Sequence, residues 1–272
     1  MKKEKRYLKS FSAFVFALLL ALTLAACSDQ KEEQPAKKDQ SEKVTQSEEK
    51  TPPTPRDNPE PDEENTLAES YLEFDKASFD MVNSINILMV AEGDDFLFEE
   101  SINMSVQAGK KAIALFPLKA LGKDKALVKE GFKSLGENIE YTGDGNTCTL
   151  SWRNGGANVC EGRYDAEHDR LLVTRTTDGQ RIFSFEYRAT EYGYAALCYF
   201  PSWESGTSAL FEITVSGSDG YYGVSIGAAE PPELNGLEGF DFPSSADRCY
   251  SIIGGIATIR FEDGNTVELG NS

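Results

Sequence analysis

The chain has 272 residues, with 45 Asp plus Glu against 27 Lys plus Arg, for a formal net charge of −18. A surface this acidic is repelled by phosphate backbones, which sets nucleic acid aside as a partner. With His168 as its single histidine and no C-x-x-C spacing, the chain also lacks the usual zinc-ligand patterns.

Residues 1–10 hold Lys2, Lys3, Lys5, Arg6 and Lys9 against one acid, Glu4, and Phe11 to Leu24 then run apolar except for Ser12 and Thr23. A basic start, a short apolar core and a small-residue exit describe a secretory signal. At 14 residues the run falls short of the ~20 that a spanning helix needs. It ends in Leu24-Ala25-Ala26-Cys27. That box resembles the lipobox of bacterial lipoproteins, and the resemblance covers the first 27 residues. It implies a signal peptide of residues 1–26, cleavage before Cys27, and a diacylglyceryl group on the Cys27 thiol. Two acyl chains anchor a protein stably where one binds only marginally. The expected location is the extracytoplasmic face of a bacterial cell membrane, with that membrane as a partner through the anchor.

Residues 27–66 form the next segment. From Ser28 to Thr66 there is no aromatic residue, and Val44 is the sole large aliphatic one. Such a segment cannot bury enough apolar surface to offset chain entropy, so the sequence predicts a disordered tether. Pro52, Pro53, Pro55, Pro59 and Pro61 stiffen its second half. As a flexible coil it spans roughly 35 Å on average; fully extended it reaches about 130 Å.

Residues 67–272 suit a single domain, with 32 acids against 16 bases. The first third, 67–136, reads as mostly helical. Phe74, Ala77, Met81, Ile85 and Leu88 recur at helical spacing, and Glu92-Gly93-Asp94-Asp95 ends that helix. A second face runs Phe98, Ile102, Val106, Gly109, Ile113 and Phe116 until Pro117 stops it. Ile102, Met104 and Val106 also fit strand alternation. Leu127, Val128, Gly131, Phe132 and Leu135 suggest a third helix capped by Gly136. These stripes are expected to pack into the core.

From residue 137 onward the period is two. Asp144-Gly145-Asn146, Asn154-Gly155-Gly156, Asp178-Gly179, Asp219-Gly220 and Asp263-Gly264-Asn265 read as hairpin turns. With Thr177 opposite Gln180, Leu172 faces Phe185 and Thr174 faces Phe183. Phe211, Ile213 and Val215 alternate with Glu212, Thr214 and Ser216, which predicts one buried face and one wet face. Glu230 to Tyr250 interrupts the hairpins as a long excursion. The expected class is α+β: N-terminal helices, then a twisted antiparallel meander of about seven to nine strands, open enough to form half a barrel.

That order of parts looks like the lipoprotein-carrier architecture, in which an unclosed antiparallel sheet cups helices around an apolar cavity. The likeness is of layout and carries no site residues over. It suggests a binding or carrier domain for an apolar small molecule, with Phe183, Phe185, Tyr187 and Ile213 lining the cavity. The alternative is an interaction module with a filled core, working on an envelope protein through an exposed apolar patch.

No cofactor and no enzyme chemistry is expected. Gly223-Val224-Ser225-Ile226-Gly227 fits G-x-S-x-G, but its Ser falls within an alternating strand and no histidine follows it. His168, in Asp165-Ala166-Glu167-His168-Asp169, reads as an exposed turn residue. None of the Asp-Gly-Asn turns carries a full calcium-ligand set. Beyond the anchor, Cys148, Cys160, Cys198 and Cys249 permit two disulfides. Cys148–Cys160 is expected across the hairpin centred on Asn154-Gly155-Gly156, and Cys198–Cys249 by elimination. Four buried free thiols are the alternative.

Overall fold

In a computed structural model of the chain, the described residues are 67–120, 125–203 and 206–270. The signal, Cys27 and the tether lie outside them. Two long helices come first, α1 (Leu67–Ala91) and α2 (Asp95–Leu115), followed by a short α3 (Lys125–Gly131). The helix-breaking Glu92-Gly93-Asp94 is a cap as well as a break. Gly93 takes a φ of 69°. Asp94 then accepts from the backbone N–H of Phe96 at 2.9 Å and Leu97 at 3.0 Å, satisfying two donors that the first turn of α2 leaves open.

The rest of the chain is one antiparallel sheet. Its strands are β1 (Glu137–Gly143), β2 (Thr147–Arg153), β3 (Ala157–Asp165), β4 (Arg170–Thr177), β5 (Gln180–Thr190), β6 (Gly193–Phe200), β7 (Ala209–Ser216), β8 (Asp219–Ile226), β9 (Arg248–Ile253), β10 (Ile256–Arg260) and β11 (Thr266–Leu269). The strand order is the chain order, and β1 does not pair with β11, so the sheet stays open. Eleven strands exceed the seven to nine expected, partly because Gly254-Gly255, at φ 56° and 80°, makes a β9–β10 turn that carries no Asp-Gly signal.

One face of the sheet packs against the helices. Phe183, Phe185, Tyr187, Tyr194, Cys198, Phe211, Ile213, Tyr222, Tyr250 and Ile259 are buried there, with Phe74, Met81, Ile85 and Met89 of α1 against them. Phe74 stacks on Tyr187 at 5.3 Å between centroids. Close approach of α1 requires a glycine. A Cβ on Gly220 would lie 2.4 Å from the Met81 sulfur and 2.3 Å from the Thr214 carbonyl oxygen. Asp219-Gly220 is therefore the start of β8 rather than the expected turn. The turn falls two residues earlier, at Gly217-Ser218, where Gly217 takes a φ of 60°.

The β4–β5 hairpin also departs from expectation. Thr177 does pair with Gln180, but a bulge between Arg175 and Thr176 shifts the register by one. Val173 faces Phe185 and Leu171 faces Tyr187, so both aliphatics share the core face instead of lying opposite it. A single-residue shift exchanges the two faces of a strand because the side-chain period is two.

The far face of the sheet is not simply wet. The excursion after β8 crosses it as a strap. Arg188 Nη1 donates to the Leu234 carbonyl at 3.2 Å, the Leu234 N–H donates to Glu186 Oε1 at 3.2 Å, and Thr214 Oγ1 donates to the Phe240 carbonyl. Ala195, Leu197, Leu210 and Leu234 form a second small core beneath it. The strap explains why Thr214, on the side expected to face water, is buried.

Candidate functional site

Phe183, Phe185, Tyr187 and Ile213 come together as expected, but as interior. Each is at most 2% exposed and they form a filled core with α1. The expected dry cavity between helices and sheet does not occur among the described residues. Two hollows lie at the surface. One, of about 320 Å³, is bounded by Glu73, Lys76, Ala77 and Asp80 of α1 with Tyr194, Val215 and Gly217; another, of about 500 Å³, lies beside Gly136, Glu137, Arg153 and Asn154.

The four cysteines beyond the anchor are free and buried. Cys148 faces Gly162 and Cys160 faces Leu150, so the first pair is diagonal by two residues instead of directly opposed. Cys198, paired with Phe211, lies on the core face. Cys249 is the neighbour of core-facing Tyr250 along β9 and so points to the strap face. The sheet separates these two thiols, which excludes the second expected pairing. Burial pushes the thiols up, to about 11 for Cys148 and Cys249 and about 12 for Cys160 and Cys198. None is activated as a thiolate nucleophile.

His168 sits in the exposed turn between β3 and β4, 2.8 Å from Asp165 Oδ2. Ser225 lies within β8 and accepts from the Asp247 N–H at 3.2 Å. Among the described residues no group of three His, Cys, Asp or Glu converges on a metal position, and no helix is long and apolar enough to cross a membrane.

The residues that stand out are ones the sequence did not single out. In α2 the stripe expected to be core lies at its margin: Phe98, Ile102, Gly109 and Phe116 are half-buried, and two of its members face outward. Val106 and Ile113 are 41% and 65% exposed, while Leu97, Glu100, Ser101, Met104 and Lys111 face inward. Two charged groups thus lie under the helix. Glu100 accepts from Arg248 Nη1 at 2.7 Å and from the Tyr250 hydroxyl, both on β9. Lys111 donates to Ser78 Oγ of α1 at 3.0 Å. A signal existed: Leu97, Met104 and Lys111 are spaced by seven, a competing face that the longer aliphatic stripe concealed.

The outward faces of both helices carry large apolar side chains among polar ones such as Glu73, Lys76, Glu99 and Asn103. On α1, Leu72, Phe79, Ile87 and Val90 are exposed in a row, and Phe96, Val106 and Ile113 of α2 are exposed as well. Glu92, Asp94, Asp95 and Glu99 are exposed at the α1–α2 corner beside Val90 and Phe96. Comparison of the chain with protein-family models, with curated proteins and with solved structures finds no match.

Proposed function

We propose that this chain is a lipid-anchored extracytoplasmic bacterial lipoprotein, held by Cys27 and the polar segment that follows it. Its α+β domain, a half-open barrel capped by helices, works as a non-catalytic interaction module. The observation that supports this reading is the set of large apolar side chains left exposed on the helix pair: Leu72, Phe79, Ile87 and Val90 on α1, and Phe96, Val106 and Ile113 on α2. Monomeric surfaces rarely leave such a patch uncovered without a partner. The flanking carboxylates favour an envelope protein with an apolar contact face and basic edges.

A photo-crosslinking residue at position 113 in intact cells tests it. The expected result is a discrete protein adduct that is lost in Ile87→Asp. Absence of any protein adduct, or an adduct indifferent to Ile87→Asp, would refute the docking role. Cys27→Ser is expected to shift the chain from the membrane fraction to the soluble one.

A second reading, a binding or carrier domain for an apolar ligand, draws support from a different observation. The domain holds buried polar atoms whose hydrogen-bonding capacity is unused: the Tyr222 hydroxyl, Asn86 Oδ1 and Gln107 Oε1.

A further inference from the structure

Two hydrogen bonds fix how α1 and α2 lie against each other. Lys111 Nζ donates to Ser78 Oγ at 3.0 Å, and Asn86 Nδ2 donates to Ser105 Oγ at 3.2 Å. Residue 78 thus sits beside 111 and residue 86 beside 105, so the helices run antiparallel along one seam. A helix turns about 100° per residue. With Phe74 and Met81 of α1 and Leu97 and Met104 of α2 turned to the core, that rotation brings Phe79 and Val90 to the outer side of the seam on α1, and Ile102, Gly109 and Ile113 to its outer side on α2. Phe79, Val90 and Ile113 are exposed there, and Ile102 and Gly109 are half-buried. The pair therefore presents a groove with apolar walls on the side away from the sheet. It runs the length of α2, whose 21 residues span roughly 32 Å.

We propose that this groove receives an amphipathic helix of the partner protein, with its apolar stripe on Phe79, Val90, Ile102 and Ile113 and its Lys and Arg residues at the end that lies over the α1–α2 corner. The inference rests on the docking reading above and specifies the element that docks.

The groove selects a helix over an extended segment. An extended chain gains its affinity by pairing its backbone with a sheet edge. Helix surfaces offer no such pairing, because their backbone groups are bonded internally. A third helix instead brings its own backbone bonds satisfied and lays its side-chain ridges between those of the two already there. Charge sets the direction. Glu92, Asp94, Asp95 and Glu99 are all exposed at one end of the groove, and cationic residues of the partner complement them. The same carboxylates act against two other occupants. A second copy of this domain, with its 32 acids against 16 bases, brings like charge, and an anionic lipid surface is repelled as well.

The test is a crosslinking map in intact cells, using the full chain with a photo-crosslinking residue at position 79, 90, 102 or 113 in turn. Mass spectrometry then locates the partner residue that each position reaches. Positions 79 and 90 are eleven residues apart on α1, so in a docked helix the residues they reach should also lie about eleven apart in one segment. An extended segment covering the same distance would place them about five apart. Lys or Arg should follow the residue reached from position 90, on the side away from the one reached from 79. Glu92→Lys combined with Glu99→Lys, both at exposed positions, should lower the adduct yield severalfold. A spacing near five, or adducts scattered over unconnected segments, would overturn the helix while leaving an envelope-protein docking face standing. An adduct yield unchanged by the two lysines would overturn its basic end. Adducts to another copy of this chain, or to lipid, would overturn the proposal outright. Absence of a protein adduct at all four positions would remove the docking reading and the helix together.

Discussion

Glu100 of α2 and Arg248 of β9 meet at 2.7 Å across the helix–sheet layer, with Arg248 Nη1 donating to Glu100 Oε1. The same carboxylate oxygen accepts from the Tyr250 hydroxyl, and Arg248 Nη2 reaches Glu262 at 3.1 Å. This cluster pins the polar face of α2 to the sheet and so fixes which face of the helix looks outward.

Removing one partner of a buried ion pair costs about 3–5 kcal/mol, because the other is left unpaired. Arg248 keeps 26% of its side chain in water, so Glu100→Ala should cost about 3 kcal/mol, the lower end of that range. Urea unfolding measures it. Glu100→Ala together with Arg248→Ala should cost clearly less than the sum of the two single changes. Additive losses would show that the pair does not act as a unit.

Alkaline pH should unfold the domain. Burial raises the pKa of Tyr71, Tyr222 and Tyr250 above the ordinary value of 10.0. Below pH 10 these phenols are protonated in both folded and unfolded chains, and the stability they allow is fully present. Above it the unfolded chain loses their protons while the folded one keeps them, so stability falls as pH rises. Each such phenol steepens the fall by up to about 1.4 kcal/mol per pH unit. Tyr222→Phe should flatten the slope by a fraction of a proton that grows toward one as pH rises from 10 to 11, measured by denaturant titration at each pH.

Gly220→Ala should destabilise by about 1–3 kcal/mol, as overpacking does. The added carbon meets backbone at the Thr214 carbonyl as well as the Met81 sulfur. Met81→Ala relieves the clash with the sulfur but leaves the one with the Thr214 carbonyl, so it should not rescue the variant fully. Calorimetry of both variants and the double variant decides this.

The thiols of Cys148, Cys160, Cys198 and Cys249 should resist iodoacetamide at neutral pH and react once the chain is unfolded. Peptide mapping of the oxidised protein should find neither Cys148–Cys160 nor Cys198–Cys249. A linked peptide at the latter pair would contradict the placement of these residues on opposite faces of the sheet.

Much of the layout was legible in the sequence because turns announce themselves. Asp178-Gly179 takes the two positive φ values, 51° and 78°, that its chemistry favours. Asp144, Asn154 and Asp263 likewise fall between strands. What was not legible depends on contacts distant in sequence. The bulge at Arg175 and Thr176 leaves no local composition signal, yet it moves Leu171 and Val173 to the core face. Gly220 looks like a turn glycine until α1 is laid over it. The strap hides Thr214, which alternation alone assigns to water.

The candidate site was less legible still. Phe183, Phe185, Tyr187 and Ile213 were correctly grouped, because alternation identifies a shared face, but alternation cannot distinguish a cavity wall from solid interior. Neither Lys111 nor Glu100 was expected inside, since a charged residue in a helix is ordinarily assigned to solvent, yet both are buried. The stripe of Val106 and Ile113 competed with the face of Leu97 and Met104, and the helix resolved that competition through Glu100, Arg248 and Tyr250, which lie 148 and 150 residues apart in the chain.

Because the sheet never closes, its two rims remain as lines of potential backbone pairing. The β1 rim is interrupted by a bulge between Glu137 and Glu140, where Asn138 turns to a φ of 54°, and most of that strand is exposed. The β11 rim is four residues long and carries Glu268. A kinked, acid-bearing border and a stubby one both resist annealing to a neighbour's strand. Many copies packed side by side should therefore remain separate molecules and not zip into ribbons, leaving the helical surface as the part of the domain free to make company.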